Sequence, residues 1–361
     1  MSRVSKRDHI LVGLDIGTTK ICAIVAEVPE EGPLNIIGVG SCPSRGLRKG
    51  VVVNIESTVE SIKKAVEEAE LMAAVQINSV YTGIAGSHIS GENLKGVVAL
   101  KKQEVTRDDI SRAVESARTL AVIPHERRIL HVLPREFMVD DQEGVREPLG
   151  MSGNRLEVNV HVITGAVTSA QNIIKSVNRA GLDVVDIILQ PLASSEAVLS
   201  AEERELGVAM VDLGGGTTDL AIFLDGSIRH TAVLPIGGQN LTKDLAIGLL
   251  TSQTDAEKIK VQHGIARTEL VHGHQMVEVP SVGDRPPRQF TRRDIAEILE
   301  PRVEEMFDLV KREIVRAGYE GMLGAGVVIT GGTSLLEGMP DAAERGLNLP
   351  ARRGMPTGIG G

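Results

Sequence analysis

The stretch VAMVDLGGGTTDLAIF, residues 208–223, places a glycine-rich turn between two apolar segments, and Asp212 closes the first of them. Glycines lack a Cβ atom, so the turn can adopt positive φ angles and bring backbone N–H groups close to an anion. A carboxylate at the end of an apolar strand costs free energy unless it holds water, a metal shell or a donor. A plain hairpin needs fewer glycines, so the stretch predicts a phosphate-binding hairpin. Its candidate binding residues are Gly214, Gly215, Gly216, Thr217 and Thr218.

A second stretch, VGLDIGTTKICAIV at residues 12–25, repeats the same order of features. Asp15 closes an apolar run, and Gly17, Thr18 and Thr19 precede a second apolar run. Two such hairpins, about two hundred residues apart, predict two related domains whose turns face one another across a cleft.

A third glycine turn, GVVITGGTSLLEG at residues 326–338, follows another apolar strand and precedes a predicted helix start. Gly331, Gly332 and Thr333 form its tip. Glycines at this position would let an adenosine lie against the backbone. The chain has no GxxxxGK[ST] loop, so the pattern does not indicate a P-loop nucleotide site.

Together the three turns resemble the two phosphate motifs and the adenosine motif of the actin, heat-shock chaperone and sugar kinase superfamily. Longer stretches resemble, more narrowly, the FtsA family of bacterial cell-division proteins, and the likeness runs over nearly the whole chain from residue 10. These stretches are GSCPSRGLRKGVVVNIEST (40–58), YTGIAGSHISGENLKG (81–96), ILHVLPREFMVDDQ (129–142) and PLGMSGNRLEVNVHVITG (148–165).

The resemblance implies an actin-like α/β fold, with two related domains around a nucleotide cleft and an FtsA-type subdomain 1C. The expected division is 1–84 and 162–204 for domain 1A, 85–161 for subdomain 1C, 205–239 and 301–361 for domain 2A, and 240–300 for subdomain 2B.

The same resemblance implies that the cleft binds ATP and Mg²⁺. Asp15 and Asp212 would reach the metal through water, because Mg²⁺ keeps much of its hydration shell. Asp212 or Gln190 would orient an attacking water, giving at most a slow ATPase, although a glutamine before a proline is also common in turns. Glu257 and Lys260 would touch the adenosine, with a surface ion pair as the alternative. Lys20 and Gly238 complete the implied nucleotide contacts.

Composition narrows the functional classes. The 361 residues are 42% hydrophobic, enough for two or more domains with cores. A net charge of −9 and 2% aromatic content argue against nucleic-acid binding. The only cysteines, Cys22 and Cys42, predict free thiols in a reducing compartment. The first apolar run is too short for a signal peptide or a spanning helix, so a cytoplasmic location is expected.

Periodicity predicts several helices. Residues 56–74 carry an apolar stripe, and the segment after Thr106 begins with a capping-box variant completed by Asp109. Further helices are predicted at 164–181, after Pro191 and at 292–316, the last capped by Thr291. The stripe of the first helix consists of Val59, Ile62, Val66, Ala69 and Met72. The residues His125, His131 and His161 lack metal-site spacing and are expected to be satisfied structural histidines.

Partner expectations also come from the resemblance. They are self-association into actin-like protofilaments, other division proteins at subdomain 1C, and the acidic tail of the tubulin-like FtsZ at subdomain 2B. Arginine suits such a tail because its planar fork pairs with carboxylates, although a solvated loop is the alternative. The candidate arginines are Arg285, Arg288, Arg292 and Arg293.

Residues after Pro350 show no amphipathic helix of the kind that attaches FtsA proteins to membranes. Attachment to the inner face of the membrane at the division site is therefore expected only if the full-length protein supplies that helix. Two other readings remain open: a small-molecule kinase of the same fold, for which no third acid suggests a base, and an adaptor of the PilM type.

Overall fold

The first hairpin lies at the centre of a mixed sheet in the computed structural model, which describes residues 9–283 and 285–360. Val12, Leu14 and Ile16 are buried on alternate positions, as expected for a strand with one face on a core. The first elements are β1 (Ile10–Ile16), β2 (Lys20–Glu27), β3 (Leu34–Pro43), β4 (Leu47–Arg48), β5 (Val51–Val52), α1 (Ile55–Ala73) and β6 (Ser79–Ile84).

Helix α1 covers this sheet with the predicted stripe. Val59, Ile62, Val66 and Ala69 are buried. The prediction was wrong for Met72, whose side chain is mostly exposed although its sulfur accepts from the Val39 N–H of β3 at 3.3 Å. Asn54 caps the helix by accepting from the backbone N–H of Ser57.

A separate four-stranded sheet is inserted after β6. It contains β7 (Ser90–Ala99), α2 (Arg107–Leu120), β8 (Arg127–Val139), β9 (Gln142–Val145) and β10 (Arg155–Ala166), in the strand order β7-β10-β8-β9. The predicted capping box opens α2: the Thr106 side chain accepts from the Asp109 N–H, and the Asp109 carboxylate accepts from the Thr106 N–H.

The chain then returns to the first sheet through α3 (Val167–Arg179), β11 (Asp183–Leu189), α4 (Gln190–Val198) and α5 (Ala201–Leu206). The predicted helix start at residue 164 was wrong, because Thr164 still pairs with Ser90 and Ile129 as part of β10. Gln190 does not end the strand; it is the first residue of α4.

The second hairpin lies at the centre of the second large sheet. This half of the chain contains β12 (Val208–Leu213), β13 (Thr218–Leu224), β14 (Ser227–Leu234), α6 (Gly238–Gly248), α7 (Gln253–His263), β15 (Met276–Val279), β16 (Arg288–Thr291), α8 (Arg292–Arg316), β17 (Val327–Thr330), α9 (Met339–Leu347), β18 (Ala351–Arg353) and β19 (Ile359–Gly360). Helix α8 begins at the predicted residue, with Thr291 and Asp294 forming a capping box.

The two large sheets repeat one topology. The first runs β11-β6-β1-β2-β3 and the second β18-β17-β12-β13-β14, and in each the central hairpin pairs in parallel with the strand beside it. The strand β19 joins the first sheet by pairing in parallel with β3. This duplication, which the sequence predicted from its repeated hairpins, brings the two glycine turns to facing positions.

The expected subdomain boundaries fall inside continuous elements at four places. Positions 161/162, 204/205, 239/240 and 300/301 lie within β10, α5, α6 and α8 respectively. Helix α8 packs through Leu299, Val303 and Phe307 into the core of the second half, while its first turn follows β16 directly. Residues 240–300 are therefore joined to the neighbouring segments by two continuous helices, α6 and α8.

No helix in the two described ranges is long and apolar enough to cross a membrane. Cys22 and Cys42 are free thiols, half-buried rather than fully buried.

Candidate functional site

The three glycine turns line one cleft between the two halves, with a volume of about 600 Å³. Loops at the ends of β1, β12 and β17 reach it from both sheets. Of the predicted site residues, the cleft is lined by Asp15, Gly17, Thr18, Thr19, Lys20, Gln190, Asp212, Gly214, Gly215, Gly216, Thr217, Gly238, Glu257, Lys260, Gly331, Gly332 and Thr333. Thr218 is the exception.

The strand register shows how the two turns correspond. Asp15 pairs with Cys22 across the first hairpin, and Asp212 pairs with Asp219 across the second. Counting from these pairs, the two threonines of the first turn correspond to the last two glycines of the second. The two turns therefore share their order of features, but their Thr-Thr pairs are offset by two positions in the register.

This register explains where Thr218 lies. It corresponds to the buried Ile21 of the first hairpin and is itself fully buried. Its hydroxyl donates to the backbone oxygen of Ile236 at 2.9 Å, so it supports the turn from behind instead of facing the cleft.

The turns approach each other across the cleft. A Cβ atom on Gly215 would lie 2.4 Å from the Thr19 side chain, and one on Gly216 would lie 2.7 Å from that of Thr18. Positive φ, which the sequence suggested as the reason for these glycines, is not adopted by Gly214, Gly215 or Gly216. Close approach of the facing turn is the reason instead.

The carboxylates of Asp15 and Asp212 each accept a hydrogen bond from a side chain of α4. Gln190 Nε2 donates to Asp15 Oδ1 at 2.5 Å, and Ser194 Oγ donates to Asp212 Oδ2 at 2.6 Å. Burial raises the pKa of Asp15 to about 6, with a further contribution from the negative Asp212. Asp15 nevertheless keeps part of its surface open to the cleft. Burial also raises the pKa of Asp212, which the Ser194 hydrogen bond opposes.

A third carboxylate, Asp219, lies beneath the second turn and was not among the predicted site residues. Its Oδ2 accepts from the Thr217 hydroxyl at 3.2 Å, and its Oδ1 has no hydrogen-bond partner within the described residues. Burial raises its pKa well above the ordinary value, and Asp212 adds to the shift. Asp219 belongs to the stretch 208–223 that predicted the hairpin, directly after Thr217 and Thr218. Its pairing with Asp212 across the hairpin brings it to the site.

The opposite wall of the cleft holds a polar cluster on α6 and α7. Lys260 Nζ donates to the backbone oxygen of Gly238 at 3.2 Å, to Thr242 Oγ at 2.9 Å and to Glu257 Oε2 at 2.8 Å. Thr333 Oγ donates to the backbone oxygen of Gly214 at 2.9 Å. The third glycine turn and the second hairpin are thus joined directly, and Lys260 is held toward the cleft.

The stretch at 40–58 wraps the first turn. Ser44 N donates to the Thr19 oxygen at 2.9 Å, and Gly50 N donates to Thr18 Oγ at 3.0 Å. Gly50, at φ +75°, also touches Gly86, at φ +127°, where the chain leaves the first half for the inserted sheet. Two of the stretches that carried the resemblance therefore meet beside this turn.

The four candidate arginines differ in how far their side chains are already bound within the protein. Arg288 bonds the Leu249 backbone oxygen and lies 5.2 Å from the centre of the Phe290 ring. Arg292 donates to the His263 oxygen at 3.0 Å and pairs with Glu337. Arg285 and Arg293 are exposed, although Arg293 also pairs with Glu297 on its own helix.

Two sheets of one topology, joined around a cleft lined by glycine turns, define the actin-like class of α/β proteins. The sequence matches the family "Cell division protein FtsA" over residues 209–360 and the "SHS2 domain inserted in FTSA" over residues 86–164. Relatives named Cell division protein FtsA are 52% identical in Pseudomonas aeruginosa (98% of this chain, 84% of the relative) and 46% identical in Escherichia coli K12 (98% and 85%). The chain therefore belongs to the FtsA family of cell division proteins.

Solved structures with similar folds are more distant in sequence. A PilM–PilN type IV pilus biogenesis complex aligns with a TM-score of 0.68 at 18% identity, covering 95% of this chain and 87% of that one. MreB 5 of Spiroplasma citri bound to AMPPNP aligns with a TM-score of 0.59 at 14% identity, covering 96% and 91%. These likenesses concern the fold alone, and family membership decides against the pilus-adaptor and kinase alternatives.

Proposed function

We propose that the cleft binds ATP together with Mg²⁺. The observation that carries this proposal is the convergence of three separate glycine turns and three aspartates on one cavity. Backbone N–H groups of the two hairpins would hold the phosphates, and the adenosine would lie against Gly331–Gly332 beside Glu257 and Lys260. The AMPPNP bound to MreB 5, a protein of the same fold, supports this choice of ligand.

The acidic side of the cleft fits a hydrated cation. Asp15, Asp212 and Asp219 repel one another, and one oxygen of Asp219 lacks a partner among the described residues. Asp15 and Asp212 would hold Mg²⁺ through its water, since this ion dehydrates reluctantly. The metal would supply charge neutralisation of the phosphates. Gln190, which bonds Asp15 here, would orient an attacking water together with Asp212 and support only slow hydrolysis.

The sharpest test of the adenosine position is Gly332→Val. A Cβ atom at Gly332 meets nothing within 4 Å, and its φ is not positive, so the variant should fold normally. If the adenosine lies against this backbone, the added side chain should weaken ATP binding at least about tenfold, measured by isothermal titration with Mg²⁺. Unchanged affinity with an unchanged melting temperature would remove the third turn from the site.

The hairpin position is tested by Gly215→Val. The new side chain would collide with Thr19 and would also block approach of the phosphates, so ATP affinity should be abolished. Because the collision would also push the two halves apart, a melting curve must accompany the titration. Full retention of ATP binding would contradict the assignment of the second hairpin.

In the cell, we propose that the protein polymerises into actin-like filaments, links FtsZ filaments to the inner face of the membrane at the division site, and recruits later division proteins through the inserted subdomain 1C. Membership of the FtsA family supports this role. The FtsZ tail would bind near residues 240–300, where the acidic chain carries its arginine cluster.

The structure refines which arginines should be tested. Reversal of Arg288 or Arg292 would break their internal contacts, so the exposed pair Arg285 and Arg293 is the better choice. Replacing both with Glu should raise the dissociation constant of a labelled FtsZ-tail peptide several-fold in fluorescence anisotropy, more at low salt, where screening is weakest. ATP binding should not change.

The matched control is Arg312→Glu, an exposed arginine further along α8. It should leave the tail affinity unchanged. An equal loss of tail affinity in Arg312→Glu, or no loss of tail affinity in the double variant, would place the tail-binding site elsewhere.

A further inference from the structure

Helix α4 donates hydrogen bonds to two of the three cleft aspartates, Asp15 and Asp212, although these two come from different halves of the protein. Gln190 and Ser194 of α4 donate to Asp15 and Asp212 at 2.5 and 2.6 Å. Residues four apart lie on one face of a helix, separated by about 6 Å along its axis. The spacing of the two donors therefore matches the spacing of the two carboxylates they hold.

Helix α4 is well placed for such a task because it is anchored to both sheets. It contacts β6 and β11 of the first sheet and β12, β13 and β17 of the second. Pro191 fixes its first turn. Ser195 is fully buried and bonds the Pro191 backbone oxygen at 2.6 Å, and Arg204 donates to the Ser195 oxygen at 2.9 Å.

Asp212 is oriented by a hydrogen bond on one of its oxygens, and its other oxygen lies close to the third glycine turn. Oδ2 accepts the Ser194 hydroxyl, while Oδ1 occupies the space beside Gly331, where a Cβ atom would lie only 2.3 Å away. A hydrogen bond to the charged form of a carboxylate favours that form and sets its orientation. Without the Ser194 hydroxyl, the Asp212 carboxylate would lose the side-chain hydrogen bond that sets its orientation.

We propose that Ser194 is a positioning residue: it orients Asp212 toward the hydrated metal of the nucleotide site and, with Gln190, fixes the spacing of the two aspartates. This inference rests on the proposed binding of ATP with Mg²⁺. It goes further by proposing that α4 fixes the distance between the two halves of the site. Gln190 alone could not do this, because it bonds only Asp15.

The test is the Mg²⁺ dependence of ATP affinity, measured by titration with and without EDTA, in Ser194→Ala. The variant should need at least about tenfold more Mg²⁺ for the same gain in affinity, the effect expected when a carboxylate loses a hydrogen bond. Its affinity for ATP in EDTA should stay within about twofold of the parent, because the phosphates and adenosine are held elsewhere.

Two further variants separate positioning from simple damage to the helix. Ser194→Thr keeps the hydroxyl and should restore the Mg²⁺ dependence to within about threefold. Ser195→Ala removes a hydroxyl that bonds only the Pro191 backbone oxygen of the same helix. This variant should leave the Mg²⁺ dependence unchanged. Melting curves confirm that each variant folds.

Three results overturn the proposal: a parental Mg²⁺ dependence in Ser194→Ala, an equal shift in Ser195→Ala, or an equal loss of affinity in EDTA. If the parent protein binds ATP without any Mg²⁺ dependence, the proposed metal site fails, and this inference fails with it. A Mg²⁺-dependent parent with an unaffected Ser194→Ala variant overturns the positioning role alone.

Discussion

The three carboxylates of the cleft, Asp15, Asp212 and Asp219, repel one another. The pKa of Asp15 rises to about 6, first because the surrounding protein desolvates it and second because Asp212 is negative, while Lys20 and the Gln190 hydrogen bond act in the other direction. Burial raises the pKa of Asp212 and Asp219 as well. Ionisation of these groups therefore costs native-state stability that a bound cation would recover.

The sign of this effect is testable through Asp15→Asn. A carboxyl whose folded pKa lies above its ordinary value of 3.8 stabilises the native state at low pH, and this contribution is lost as pH rises through about 6. Asn carries no charge, so the variant should melt at a higher temperature than the parent near pH 8 without Mg²⁺, and the difference should shrink near pH 5.

Asp183→Asn is the control for this comparison, because Asp183 is exposed on β11 and is not among the cleft-lining residues. It should show no such pH-dependent difference. A constant difference in melting temperature between the parent and Asp15→Asn from about pH 5 to 8, without Mg²⁺, would show that the pKa of Asp15 is not raised in the folded protein.

At the scale of elements, local signals were sufficient for most of the fold and the site. The capping boxes of α2 and α8 lie within four residues of sequence, so their side chains must meet once a helix forms. The strand register of the hairpins cannot be predicted from such local patterns, because it depends on which residues pair across a turn. The sequence alone therefore did not show that the Thr-Thr pairs are offset by two positions, nor that Thr218 is buried behind the turn.

The residues missed by sequence reasoning depend on contacts between distant segments. Ser194 has no local pattern that marks it, since it becomes informative only when α4 crosses to Asp212 of the second half. The internal contacts of Arg288 and Arg292 likewise depend on distant segments. Their partners are Leu249, His263 and Glu337, which lie near α6, α7 and the third glycine turn. Such pairings are set by the tertiary fold.

The capping box of α2 offers a test at this scale. Thr106→Ala removes the side chain that accepts from the Asp109 N–H, and should lower the free energy of unfolding by about 0.5–2 kcal/mol in denaturant titrations. Ser111→Ala, on the exposed face of the same helix, removes a hydroxyl that bonds only the Arg107 oxygen. It should change stability by less than about 0.5 kcal/mol.

At the scale of the whole molecule, the inserted sheet touches both halves. It is attached to the first half through Gly86 and α3, and its strands β7, β8 and β10 lie against β14 of the second half. His161 is buried at the centre of this contact: its ring nitrogens lie 2.7 Å from Asn93 Oδ1 and 2.9 Å from Thr231 Oγ. The inserted sheet therefore bridges the two halves that enclose the cleft.

The hydrogen bonds define the state of this histidine. Asn93 Nδ2 donates to the Arg229 oxygen at 3.2 Å, so Asn93 Oδ1 accepts from His161 Nδ1–H, and Nε2 accepts from the Thr231 hydroxyl. Burial lowers the pKa of His161 from 6.5 to about 3, with help from His230 and Arg135. Its stabilising contribution is present above pH 6.5 and declines as the pH falls toward 3.

Thr231→Val should uncouple the inserted sheet from the second half. Valine keeps the shape of the side chain but leaves Nε2 of the buried His161 without a donor, which should cost about 1–3 kcal/mol. Hydrogen exchange followed by mass spectrometry should show faster exchange in β7 and β10, because these strands hold Asn93 and His161. Thr218→Val, which removes a buried hydroxyl bonded within the second half, should lower stability without that local effect. If exchange in β7 and β10 stayed at the parental rate in Thr231→Val, the bridge would rest on the remaining contacts of β14, and His161 would serve only its own sheet.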